Sequence, residues 1–283
     1  MIEMNAIDDL MKGSVDIHVH FSPDPRVERR SSAIEIVEQA SFMGMGGLVL
    51  KSHEYPTQPL AYTVGQLFPD IAVIGGICAD YEIGGLNPSA VEASAKMGSS
   101  IVWMPTYSAK SDRAYRGLSG GITILDDNNK LLPEVYEILD IVKQYDMVLA
   151  TGHISTQECF ALIEAGVDAK VERLVLTHGT TSAHWTGITV DEMKAIADKG
   201  AFVEHCIHVM MPTTYRLDPK ELISAMDIIG MDRSIISTDF GQNYHPMPAE
   251  GFRMGMGMLR ESGMTEDDIY KVVNANPRAL LGI

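Results

Sequence analysis

Eight short runs dense in Val, Ile and Leu recur along this chain: Val15–Phe21, Gly47–His53, Ile71–Ala79, Ser100–Thr106, Met147–Ile154, Arg173–Gly179, Ala201–Cys206 and Ser234–Gly241. They show little alternation of polar and apolar residues near their starts, which suits parallel strands covered on both faces. Helical patterns fill the gaps. In Leu132–Tyr145 the apolar residues Val135, Ile138, Leu139 and Val142 fall at i, i+3, i+4 and i+7, one stripe of a helix. Ser155 with Glu158, and Thr189 with Glu192, have the spacing of capping boxes. Gly166 and Gly200 are expected to close those two helices. Thr265 opens a last helix that runs towards Asn276-Pro277. Eight strand–helix units in 283 residues predict an α/β protein, a (β/α)8 TIM barrel, as one domain over residues 1–283. The alternative, a doubly wound sheet, uses fewer strands. The fourth connection, Tyr107–Leu131, is long enough to be a lid or binding loop. A small hairpin is expected in it, with Ile122–Leu125 and Lys130–Leu132 flanking Asp-Asp-Asn-Asn.

Charge narrows the partners. Lys and Arg number 22 against 38 Asp and Glu, a formal net charge of −16. That argues against a nucleic-acid groove or an anionic membrane surface. Cys78, Cys159 and Cys206 have no CxxC spacing and sit among apolar residues, so buried reduced thiols are expected rather than a disulfide framework. No apolar run approaches the roughly 20 residues of a membrane span. The N-terminal stretch Met1–Gly13 carries acids and no long apolar core, unlike a signal peptide. A cytoplasmic protein acting on a small molecule is the expectation. Met254, Met256 and Met258 recur every second residue and suit soft packing, including a subunit contact in a homo-oligomer.

In a barrel of this kind chemistry belongs at the C-terminal ends of the strands, and the polar residues fall there. The first run reads Asp16-Ile17-His18-Val19-His20, with His18 and His20 on one face. The second ends Lys51-Ser52-His53-Glu54, the fifth at His153, the sixth at His178, the seventh at Glu204-His205-Cys206 and the eighth at Ser237-Thr238-Asp239. Imidazoles and a carboxylate converging on one mouth suit a divalent ion. Zinc is preferred over manganese or iron.

The segments Asp16-Ile-His18-Val-His20, His153, His178, Ser-Thr-Asp239 and the tail Asn276-Pro277-Arg-Ala-Leu-Leu-Gly-Ile283 resemble the amidohydrolase superfamily over essentially the whole chain. The resemblance implies that His18 and His20 hold a metal, that His153 and His178 complete one or two sites, and that Asp239 is both ligand and general base. Dinuclear members place a carboxylated Lys or a Glu at the end of strand four. Here that strand reads Ile101-Val-Trp-Met-Pro-Thr106, with neither. Lys51 is the strand-end lysine. It is expected either to grip an anionic substrate, the favoured reading, or to be a carboxylated metal ligand. Many relatives also carry a β-sandwich built from both termini. Here the expectation is a bare barrel, as in the phosphotriesterase-like, lactonase-like and decarboxylase-like branches.

The expected reaction is hydrolysis of an amide, lactam, lactone or ester by metal-activated water. Asp239 would move the proton, and the metal, His178 or His205 would polarise the carbonyl. Lys51, His53, Tyr107, Arg113 and Arg116 are candidate substrate contacts, since arginine forks suit carboxylates. A superfamily decarboxylase or lyase is the first rival, followed by a barrel that binds without turnover and a metal-independent lactonase. Gly117-Leu-Ser119-Gly-Gly121 matches a nucleophile-elbow pattern but lies mid-loop. His53-Glu54 lacks the second His of a metalloprotease helix, and Pro56 breaks any helix there. His184 and His245 are expected in loops after strands six and eight, as solvated residues or substrate contacts, and His208 is no more decisive.

Overall fold

The structure, a computed structural model, describes residues 5–283. Of the stretch Met1–Gly13, the first four residues lie outside the described residues. Eight parallel strands are ordered β1 to β8 in one sheet, with helices between them, giving the expected (β/α)8 barrel. The strands are β1 (Val15–Val19), β2 (Gly47–Leu50), β3 (Ala72–Cys78), β4 (Ile101–Trp103), β5 (Val148–Ala150), β6 (Leu174–Leu176), β7 (Phe202–Cys206) and β8 (Ser234–Ser237). Each is shorter than its apolar run, so several predicted site residues lie just beyond a strand rather than in it. Among the described residues no helix is long and apolar enough to cross a membrane.

By contacts the chain divides into two compact units. One runs to Lys51 and takes in Leu60–Ile74 and His205–Ile283; the other takes in Ser52–Pro59 and Gly75–Glu204. In the first, β1 pairs with β2, Val15 opposite Gly47 and Asp16 opposite Leu48. Past the end of β8 the chain bonds to β1, the Asp239 N–H donating to His18 O and the His20 N–H to Phe240 O. Phe21, Leu48, Leu50, Ile236 and Phe240 form its core with Phe252, Met256 and Leu259 of the helix Pro248–Glu261. That helix carries the three alternate methionines on different faces, Met256 buried and Met254 36% exposed, so they build no single stripe.

In the second unit β3 to β7 pair in sequence order, with Gly76 opposite Ile101 and Val175 opposite Phe202. The stripe Val135, Ile138, Leu139 and Val142 is buried, as its spacing predicts. Both capping boxes form. Gly200 follows its helix in the left-handed region, at φ 107°. Gly166 does not close its helix, which continues to Asp168. It packs against Leu174 so closely that a Cβ would come within 2.8 Å of that side chain, so its smallness serves packing. The hairpin is present, closed by Leu125 opposite Leu131 and by the Asp126 N–H on Lys130 O. Thr265 caps the last helical stretch, but the chain stays helical past Pro277, to Leu281. Pro277 falls in the first turn of the closing segment Asn276–Leu281, directly after the helical residues Lys271–Ala275.

Candidate active site

Asp16 shows why β1 and β8 place their end residues together. Its buried carboxylate accepts the Thr238 hydroxyl at 2.6 Å and the N–H groups of Thr238 and His18 at 3.1 Å. Burial pushes this carboxyl up to about 7, against those hydrogen bonds. Thr238 is thereby strapped to β1. Asp239 next to it sits at φ 55°, a left-handed backbone costly for a residue with a Cβ. Gly241 follows, where a Cβ would meet His20 O at 2.1 Å. The result brings Asp239 Oδ1 to 3.2 Å from His20 Nε2 and 3.4 Å from His18 Nε2.

Lys51, directly after β2, is 1% exposed with Nζ 3.1 Å from His18 Nε2. An ammonium only donates, so His18 accepts at Nε2. His20 Nδ1 lies 3.1 Å from Lys51 O, which only accepts, so Nδ1 carries a proton. His20 Nε2 therefore faces the Asp239 carboxylate through a positive species, a second proton or a metal ion. Burial pushes the Asp239 carboxyl up, but the neighbouring imidazoles of His18 and His20, with a hydrogen bond from His20, hold it well below the usual carboxylate range.

These donors fit a divalent ion. His18, His20 and Asp239 offer ligand atoms all within 4.8 Å of one another. Ligands of a four-coordinate ion with bonds of about 2.0–2.1 Å lie about 3.3–3.4 Å apart, matching both contacts of Asp239. The backing of His20 by a carbonyl is the outer-shell support that metal-bound imidazoles show.

The second unit assembles its own imidazoles. His153, three residues past β5, has Nδ1 3.2 Å from Asp112 Oδ1, so Nδ1 is again the donor. Arg116 Nε holds the other oxygen of Asp112 at 2.9 Å. His178, two residues past β6, is left-handed at φ 32°; its N–H donates to Glu204 Oε2 at 2.8 Å. His178 Nδ1 meets Ser182 Oγ at 3.0 Å, and that hydroxyl donates to Thr177 O. The His153 and His178 rings are 4.8 Å apart, and Trp185 lies 5.5 and 5.1 Å from them. His53 stacks on Tyr107 at 4.1 Å, and the Arg116 guanidinium lies over the Tyr107 ring at the same distance.

Of the predicted residues, His18, His20, Lys51 and Asp239 form one cluster, and His53, Tyr107, His153 and His178 another with Arg116 at its edge. Arg113 instead donates twice to Ser119 O, which shapes its own loop. His205 is fully buried in β7. His245 has Nδ1 3.0 Å from Gln242 Oε1 and Nε2 3.0 Å from Thr213 Oγ1, and it stacks on Phe240. Burial first, and His208 beside it, lower it to about 4, a neutral packing residue at physiological pH. His184 lies on the helix Gly179–Thr186, not in a loop. Sequence reasoning missed Asp80 and Thr106, just past the ends of β3 and β4, and Asp112 and Ser182, on the helices Lys110–Tyr115 and Gly179–Thr186, all of which orient imidazoles. For Asp80 and Thr106 the one sequence signal is a polar residue within a few positions of a strand's end.

The family of unknown function DUF6282 matches residues 13–204. No curated protein matches the chain in sequence. Among solved structures, the probable dipeptidase PvdM from Pseudomonas aeruginosa is 12% identical over 99% of this chain and 97% of its own, with a TM-score of 0.69. The lactonase Lmo2620 from Listeria monocytogenes is 12% identical over 96% and 95%, at 0.65. The 2,6-dihydroxybenzoate decarboxylase from Rhizobium is 13% identical over 96% and 99%, at 0.60. These are amidohydrolase-superfamily structures, and the chain shares their fold.

Proposed function

This chain belongs to DUF6282, a family of unknown function, and from that membership we propose a reaction on the site's own chemistry. The protein is a metal-dependent hydrolase of an amide, lactam, lactone or ester bond in a small carboxylated or cyclic substrate. The observation that carries this reading is His20, whose Nδ1 proton is committed to Lys51 O while Nε2 faces Asp239 at 3.2 Å. His18, His20 and Asp239 hold the ion, zinc before manganese or iron. His153 and His178 are the further ligands, and Lys51 is the alternative one. When bound, the ion supplies Lewis acidity, lowering the pKa of water from ~16 towards ~7.

Asp239 accepts the water proton as oxygen adds to the carbonyl carbon, and it returns that proton to the leaving atom. Held below the usual carboxylate range, Asp239 is ionised at neutral pH. His178 or His205 polarises the carbonyl. Lys51 is the anchor for a substrate carboxylate, with His53 and Tyr107 as further contacts. Arg113 and Arg116 join that clamp only by leaving Ser119 and Asp112. A cytoplasmic homo-oligomer acting on a small molecule completes the proposal. A decarboxylase of the same superfamily is the second reading, favoured by Tyr107 and Trp185, whose rings lie 5.8 and 5.5 Å from that of His153, a wall suited to an aromatic acid.

The test is a panel of lactones, lactams, N-acyl amino acids and hydroxybenzoates offered to zinc-loaded and chelated protein. Ring opening or amide cleavage by the loaded form alone is expected, with Asp239→Asn losing about 10³-fold in kcat at a Tm within a few degrees. CO2 release would move the assignment to the decarboxylase. Full activity after chelation, or near-normal activity in Asp239→Asn, would overturn the reading.

A further inference from the structure

Asp80 lies two residues beyond β3 and is fully buried. Its Oδ1 accepts the N–H groups of Thr106 at 2.9 Å and Ser108 at 2.8 Å, and its Oδ2 accepts the Thr106 hydroxyl. Three hydrogen bonds on a buried carboxylate are costly to leave incomplete. Burial pushes this carboxyl up, and the contact with His53 together with the Thr106 and Ser108 bonds holds it below its ordinary value.

A threonine hydroxyl has one proton. Thr106 donates it to Asp80, yet Thr106 Oγ1 also lies 2.6 Å from His53 Nδ1. With the Asp80 carboxylate ionised, it can only accept, and one arrangement satisfies both contacts. The hydroxyl donates to Asp80, and His53 donates from Nδ1 to the hydroxyl. An imidazole in water prefers its proton on Nε2, so this relay reverses the ordinary preference. His53, Cys78 and Asp80 also offer ligand atoms within 4.8 Å of one another. The carboxylate already accepts three hydrogen bonds, and the Thr106 hydroxyl stands between it and His53. The grouping therefore reads as a proton-ordered relay and not as a metal centre.

We propose that Asp80 and Thr106 are positioning residues that lock His53 as the Nδ1-protonated tautomer and so present its basic Nε2 to substrate. The relay gives His53 the proton placement that Asp112 gives His153 and Ser182 gives His178. It joins the ends of β2, β3 and β4 in one chain of polar contacts. Tyr107, stacked on His53 at an interplanar angle of 29°, fixes the ring plane that the relay leaves free to tilt. The inference rests on the hydrolase reading for its kinetic consequence and on hydrogen-bond chemistry alone for the tautomer.

The experiment reads both. Ring 15N shifts of His53 are measured by NMR in the full-length protein and in Thr106→Val and Thr106→Ser. Hydrolysis of p-nitrophenyl acetate and δ-valerolactone is measured with the same zinc-loaded proteins. Wild type should show a protonated Nδ1 and an unprotonated Nε2. Thr106→Val, near-isosteric but without the hydroxyl, should move the proton to Nε2 and lower kcat about tenfold or more, with KM within about twofold. Thr106→Ser should restore both. A wild-type His53 protonated at Nε2, or a Thr106→Val protein with unaltered tautomer and kcat, overturns the proposal. So does zinc binding at His53 Nδ1 that is abolished in Cys78→Ser. If wild type hydrolyses neither probe while the tautomer pattern holds, the relay stands and the hydrolase reading is what fails.

Discussion

At the residue scale one rule orders the imidazoles. His18 accepts at Nε2 from Lys51, and His20, His53, His153 and His178 each donate from Nδ1 to a carbonyl, hydroxyl or carboxylate. Sequence spacing identifies the histidines, because a strand end is where a parallel barrel exposes side chains to chemistry. It does not identify their partners. Asp80, Thr106 and Asp112 lie on other strand–helix connections, and no local pattern separates a supporting aspartate from a solvated one. Two of the site residues, Asp239 and His178, have left-handed backbone. Asparagine tolerates that conformation, which makes Asp239→Asn a clean removal of charge. Lys51 yields a sharper prediction. Its ammonium holds His18 Nε2, so a metal ion must displace it. Lys51→Met should tighten zinc binding by roughly tenfold, measured by competition with a chromogenic chelator. Weaker binding would instead mean that Lys51 is itself a ligand, as a carboxylated lysine would be.

At the element scale the long fourth connection is a support for β5 and the helix after it. Ser111 donates to His153 O, Asp112 holds the His153 ring, and Arg116 holds Asp112. Glu158 ties the hairpin down. One of its oxygens accepts the Thr123 hydroxyl at 2.6 Å and the Ile124 N–H at 2.9 Å; the other accepts the Ser155 N–H at 2.8 Å and hydroxyl at 2.7 Å. The capping box was legible from Ser155 and Glu158 alone. The tie to the hairpin was not, since it depends on how a loop some 35 residues earlier folds back. Glu158→Ala should therefore cost more than a lost cap. About 2–3 kcal/mol of destabilisation is expected in urea unfolding, from a buried set of donors left without their acceptor. A loss under about 1 kcal/mol would show that the loop does not depend on this carboxylate.

At the scale of the whole molecule, the eight apolar runs specified the barrel because each strand–helix unit can bury its apolar faces only against the next. What they could not specify was closure, which depends on Asp16 strapping Thr238 and on the glycine at 241 that lets β8 approach His20. The charge of −16 was silent about the clusters, where Lys51 sits with His18 and His20 in one unit and His53, His153 and His178 gather in the other. All three cysteines are buried and unbridged, and burial pushes the Cys159 thiol up to about 12. Native protein should accordingly react with almost none of an aromatic disulfide reagent within minutes at pH 8, and with all three thiols after denaturation. Rapid native labelling would mean that the barrel opens far more readily than its packing implies.

The central claim is that His18, His20 and Asp239 form a metal centre, and a zinc-binding isotherm of chelated wild type beside His20→Asn addresses it most directly. The geometry predicts a saturable site in wild type that weakens by ~100-fold or more in the variant, with the fold retained by circular dichroism. Equal zinc affinity in both proteins would contradict it.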